Sequence, residues 1–171
     1  LAKRGIPLCI AQQYLKEVKV ANAETLKVFF ALGLKNEDGG YELRNPFFKG
    51  CVGKKSITFI RGLKVMPGGI HFFEGIMDYL SAIANNKGKK FADDTIILNS
   101  LSNLKKATAY VQNYSYTTAY SWMDNDIAGT KATKALDEYF ETQEAIEHIK
   151  MNIMYAPHKD VNASHMSKLG L

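Results

Sequence analysis

Ile70-His71-Phe72-Phe73-Glu74-Gly75-Ile76-Met77-Asp78-Tyr79-Leu80 decides how this chain folds. Four largely apolar residues read as a buried strand, Ile70–Phe73. The chain then switches to helical spacing across residues 75–86, with Ile76, Tyr79, Leu80 and Ile83 on one side. Glu74 stands at the switch, as the first carboxylate past the strand. A similar junction lies some fifty residues on, where the strand Ala119–Met123 runs into Asp124-Asn125-Asp126-Ile127-Ala128-Gly129. Parallel strands deliver their C-terminal ends to one edge of a sheet, so Glu74, Asp124 and Asp126 converge if their strands are neighbours.

Working outward, the same rhythm recurs. Thr95–Leu98 reads as a strand followed by a helix over 101–112. A helix over 127–148 carries Ala128, Ala132, Ala135, Leu136 and Tyr139 on one stripe. Asn152–Tyr155 reads as a last strand and Asp160–Leu169 as a last helix. Four strand–helix units with short apolar strands predict a parallel sheet covered on both faces, an α/β fold. Upstream the pattern differs. Residues 3–16 read as a helix, Glu17–Ala21, Lys27–Leu34 and Tyr41–Arg44 as strands, and Lys35–Gly40 as a hairpin turn. A further strand, Ser56–Arg61, precedes the Pro67-Gly68-Gly69 break. The expected division is a small basic α+β subdomain over 1–68 and a catalytic α/β domain over 69–171.

Charge follows that division. Residues 1–68 hold twelve Lys and Arg against five Asp and Glu; residues 69–171 hold ten against twelve. A basic part beside an acidic part suits a polyanionic ligand, although solvated surface lysine accounts for the charge equally well. With 46% hydrophobic and 23% charged residues, the composition is that of a globular protein. No apolar run is long enough to span a membrane. Cys9 and Cys51 form neither a disulfide framework nor a zinc set, so reduced thiols and a cytoplasmic location are expected. The chain begins at Leu1 rather than Met, as expected of a piece of a longer polypeptide.

Asp124 and Asp126, one residue apart beyond a strand, repel each other unless a hard cation such as Mg²⁺ or Mn²⁺ intervenes. Helix capping is the alternative for either. Lys159 in His158-Lys159-Asp160-Val161-Asn162 is placed to neutralise a phosphate, and Asp160 and Asn162 to orient the site or cap the last helix. Lys131 follows Asp126 within two helical turns and is a candidate phosphate contact. Arg44, Lys49, Lys54, Lys55 and Arg61 are candidate nucleic-acid contacts. His71 reads as packed. Tyr110, Tyr114, Tyr116 and Tyr120 read as core or loop packing, with base stacking as the alternative.

Glu-Gly-x-x-Asp after one strand, Asp-x-Asp-x-x-Gly after a later one, then Lys-Asp-x-Asn, resembles the Toprim domain, most of all the version in bacterial replicative primases and primase–helicases. The resemblance covers roughly residues 69–165. Leu43-Arg44-Asn45-Pro46-Phe47-Phe48 is similar to the Arg-Asn segment of the subdomain that precedes Toprim in primases, although Pro46 stands where a second basic residue is usual. The resemblance implies a Toprim-like parallel sheet flanked by helices, in the RNA-polymerase core of a divergent primase-like protein of a mobile element. It implies that Glu74 is the catalytic acid of the first motif, that Asp124 and Asp126 hold Mg²⁺ or Mn²⁺, and that Asp78 supports them. Lys159 and Asp160 would lie beside the phosphate path, and Asn45 with Arg44 along the template groove. The implied partners are single-stranded DNA, nucleoside triphosphates and, through regions outside these residues, a replicative helicase. A Toprim strand-cleaving enzyme and a non-catalytic DNA-binding module are the alternatives.

Overall fold

A computed structural model describes residues 1–21, 27–112, 114–143 and 145–171. Two sheets organise the chain. The first is an antiparallel meander of β1 (Lys16–Ala21), β2 (Val28–Lys35), β3 (Tyr41–Arg44) and β4 (Lys49–Val52), in that order. Its β2–β3 turn is tied by Asn36, whose Oδ1 accepts from the Asp38 and Gly40 N–H groups. The second sheet has the order β5-β7-β6-β8-β9. Its strands are β5 (Thr58–Ile60), β6 (Gly69–Phe73), β7 (Asp94–Ile97), β8 (Thr118–Trp122) and β9 (Glu147–Lys150). The four later strands run parallel, and β5 adds antiparallel to β7.

The central strand β6 is buried along its whole length because each face of the sheet has its own apolar layer. Phe73 packs into one layer with α1 (Leu8–Ala11), α2 (Ile76–Asn85) and α5 (Val161–Lys168). Phe72, on the opposite side of the pleat, packs into the other with α3 (Leu104–Val111) and α4 (Ile127–Glu141). From β6 the chain goes first to β7 and then back past β6 to β8. The direction of winding therefore reverses between β6 and β8, and the crevice of such a sheet opens beyond the C-terminal ends of those two strands.

Several expectations need correction. Residues 3–16 do not form one helix: Gly5 takes a left-handed conformation at φ 66°, and Pro7 starts only the short α1. Ile6, Ile10 and Leu15 are nonetheless buried, in the layer that holds α2. The β4 strand was not foreseen. The helix expected over 127–148 ends at Glu141, and its far end is the edge strand β9; residue 144 lies outside the described residues. Asn152–Tyr155 is a 3₁₀ turn rather than a strand, anchored by the Tyr155 hydroxyl donating to the Met123 carbonyl at 2.6 Å. The buried stripe of α4 is Gly129, Ala132, Leu136 and Phe140, and Ala128 and Ala135 are exposed. The strand expected over 56–61 is present as β5, and it pairs into the second sheet rather than with the first.

Candidate active site

Strands β6 and β8 lie side by side in register, with Phe73 opposite Trp122. The residues just past their ends, Glu74 and Asp124, therefore meet across the crevice. Buried Met123 fixes one approach. Gly129 fixes the other: a Cβ there would stand 2.0 Å from the Asp124 carbonyl oxygen, so the first turn of α4 closes on the loop only with glycine at this position.

Glu74 Oε2 is buried and, among the described residues, has no hydrogen-bond partner. Burial pushes the Glu74 carboxyl above the usual range, and the charge of Asp124 adds to the shift; the Asp124 backbone N–H and, more weakly, Lys49 oppose it. Asp124 is likewise raised by burial and by Asp160, against the pull of Lys159. Asp126 is held below its ordinary value, because its Oδ1 caps α4 by accepting from the Gly129 N–H at 2.9 Å and because Lys159 lies beside it. Capping occupies only one of its oxygens. Its Oδ2 is 3.1 Å from Lys159 Nζ, which is also 3.3 Å from Asp124 Oδ2. The ammonium thus bridges the two aspartates whose repulsion the sequence announces. Asn125 locks the loop that carries this lysine: its N–H donates to the Lys159 carbonyl, and its Nδ2 to the His158 and Asn152 carbonyls.

Asp78 is buried rather than solvated, and its Oδ1 accepts from the Asn162 N–H at 3.1 Å. Burial, then the Asp160 charge, pushes its carboxyl up to about 7. Asp160 caps α5 by accepting from the Ala163 N–H at 2.6 Å.

The groove is lined on the first-sheet side by Glu42, Arg44 and Lys49, and on the other by Glu74, Asp78, Asp124, Lys159 and Asp160. Candidates from both parts of the chain are thereby brought together. Asn45, Lys54, Lys55, Arg61 and Lys131 do not line it, and Asp126 stands outside its lining, joined to it through Lys159. Arg61 pairs instead with Asp94 at 3.2 Å, a fully buried carboxylate that also accepts from Gly62 N–H and the Tyr116 hydroxyl. Lys131 is on the exposed side of α4. Asn45 is committed to the first sheet, donating from the β3–β4 turn to the Phe30 carbonyl of β2 at 3.1 Å. Arg4 was missed. Its Nη1 donates to Asn162 Oδ1 at 2.7 Å, and Asn162 Nδ2 returns a bond to the Arg4 carbonyl, so the N-terminus closes one end of the groove. No sequence motif surrounds Arg4, so only the fold reveals it. His71 is packed as expected, stacked on Tyr120 and accepting at Nδ1 from the Trp122 indole N–H.

Among the described residues no three acidic, histidine or cysteine side chains are gathered closely enough to hold a metal ion as they stand. The donor types fit a hard divalent cation, and the unpartnered Glu74 oxygen is the kind of lone pair such an ion satisfies.

The Toprim-like family matches residues 71–165, more than half of the chain. This chain belongs to the Toprim-like family. Residues 1–53 match a second family, a domain of unknown function. No curated protein matches. Among solved structures, the primase fragment of the bacteriophage T7 primase-helicase superposes with a TM-score of 0.69 at 19% identity, over 98% of this chain and 69% of that one. A structure of the T7 lagging-strand DNA polymerase interacting with primase domains bound to an RNA/DNA hybrid and dTTP gives 0.66 at 19% identity, over 99% and 85%. The Toprim-like match is confined to residues 71–165, whereas the likeness in fold to the primase fragment takes in the antiparallel N-terminal sheet as well. No helix among the described residues is long and apolar enough to cross a membrane.

Proposed function

We propose that this Toprim protein is the catalytic core of a primase-type nucleotidyltransferase that joins ribonucleotides on single-stranded DNA with Mg²⁺ or Mn²⁺. One observation carries the reading: the buried, unpartnered Glu74 oxygen adjoins Asp124 at the strand reversal, with Arg44 and Lys49 across the groove. Glu74, Asp124 and Asp126 are the proposed ligands, with Asp78 behind them. A bound divalent ion would neutralise the triphosphate and acidify the attacking 3′-hydroxyl. Arg44 and Lys49 would hold template and nucleotide phosphates. Lys159, whose side chain is 58% exposed, is free to turn from the aspartates toward a phosphate once their charge is balanced. Glu74, with its raised pKa, is suited either to ligate or to take the hydroxyl proton. A replicative helicase, reached through regions outside these residues, is the proposed partner.

The test is primer synthesis by the full-length protein with Mn²⁺, ribonucleoside triphosphates and a single-stranded template. Product is expected from the wild type and not from Asp124→Asn. Equal product from both overturns the site. Nicking of labelled DNA without added nucleotides moves the reading to strand cleavage.

Lys159→Gln separates metal from phosphate roles. Loss of the bridging ammonium is expected to tighten Mn²⁺ binding about fivefold in calorimetric titration, the scale of a half-exposed ion pair, while weakening nucleotide use. Weaker Mn²⁺ binding would contradict the arrangement.

A further inference from the structure

The hairpin that carries Arg44 and Lys49 ends in a side chain the fold does not use. Phe47 is 97% exposed at the tip of the β3–β4 loop. Its neighbour Phe48, by contrast, packs edge-on against Phe29 with ring centres 5.1 Å apart. An exposed phenyl ring gains nothing from folding, yet the turn that presents it is held by three hydrogen bonds. The Phe47 N–H donates to Asn45 Oδ1 at 2.8 Å, and the Asn45 N–H donates to the Phe48 carbonyl at 2.9 Å. Asn45 Nδ2 ties the tip to the Phe30 carbonyl, and Pro46 fixes φ one residue before the ring. A ring presented on a fixed backbone loses little entropy when it is covered.

Just below the tip, Arg44 and Lys49 are direct cross-strand partners, so they leave the same face of the hairpin. Like charges so placed repel, and neither forms an ion pair among the described residues. Both line the groove that contains Glu74. The hairpin therefore offers an anion site and an aromatic face in sequence, leading toward the carboxylates.

We propose that Phe47 is a stacking platform for a base of single-stranded DNA whose phosphates cross Arg44 and Lys49 on the way into the groove. This rests on reading the groove as a template site, and it adds the residue that receives the strand before it reaches the carboxylates. Charge selects the occupant: a polyanion satisfies the cation pair, and only an unpaired strand also supplies free base faces for the ring. A duplex buries those faces in its own stack.

The test is fluorescence anisotropy of a labelled thymidine 15-mer with the 171-residue chain across a range of NaCl concentrations. Phe47→Ala is expected to weaken binding about tenfold, within the span of one lost base–aromatic stack. The slope of log affinity against log salt should not change, whereas Lys49→Ala should make it shallower by about 0.7. Phe47→Trp should restore affinity, and strand addition should quench its emission beyond the change seen with Trp122, the native chain's single tryptophan. An abasic strand of equal length should bind wild type and Phe47→Ala alike. Wild-type binding by Phe47→Ala, or an abasic strand equally sensitive to it, overturns the platform and leaves the groove reading intact. Failure of the wild type to bind any strand overturns both.

Discussion

Glu74→Gln is expected to lower primer synthesis by about 10²- to 10⁴-fold, the range for loss of a positioned acid–base group, without destabilising the protein. The two halves of this result have one cause. Glu74 is held above the ordinary glutamate range by burial and by Asp124, so its ionised form opposes folding. A group whose folded pKa is raised binds its proton more tightly in the native state. Its charge therefore erodes stability as pH rises from the unfolded value through the folded one. Glutamine carries no charge to erode it. The variant should melt at the wild-type temperature or above it at pH 8, with the difference closing toward pH 4. Thermal melts beside the synthesis assay check both halves. A variant that is inactive because it is unfolded would contradict the account.

Asp78→Asn should change stability more than any other single substitution considered, and in the stabilising direction. Asp78 is almost wholly buried with its carboxyl pushed up to about 7, first by burial and then by Asp160. From the ordinary aspartate value to about pH 7 the folded state holds a proton that the unfolded state has released, so wild-type stability should fall with pH across that window. A shift of this size corresponds to something on the order of 4 kcal/mol by pH 8. Asparagine keeps an oxygen to accept the Asn162 N–H and removes the charge. Urea unfolding at pH 4.5 and pH 8 should show a steep dependence in the wild type and a nearly flat one in the variant, with the variant ahead at pH 8. Lower stability at both pH values would mean that the carboxylate is satisfied by contacts beyond the Asn162 amide.

The parts of this molecule that were legible in the sequence are those where burial writes a pattern. Phe72 and Phe73 must both be apolar because β6 is covered on both faces, and the first carboxylate beyond them marks the crevice edge. The same logic located Asp124, and the adjacency of β6 and β8 brought it to Glu74. Edge elements write weaker patterns. Strand β9 is only half-buried, and its first two residues, Glu147 and His148, read as the tail of a helix; what holds it is non-local, with His148 bonded to Asp137 and Ser121. Arg61 lies away from the groove for a related reason: a sequence shows a cation but not the buried Asp94 that pairs with it. Lys131 fell outside the groove because the inward stripe of α4 runs through Gly129, Ala132 and Leu136 and leaves it on the opposite side. Arg44 and Lys49 face each other only because the unforeseen β4 returns along β3.

The most direct test of the shared-cation site is anomalous X-ray scattering at the manganese edge from a crystal soaked in Mn²⁺. The predicted result is a peak within coordination distance of Glu74, Asp124 and Asp126, with the Lys159 ammonium displaced from between the aspartates. A map without a peak there, with Lys159 still bridging Asp124 and Asp126, would contradict it.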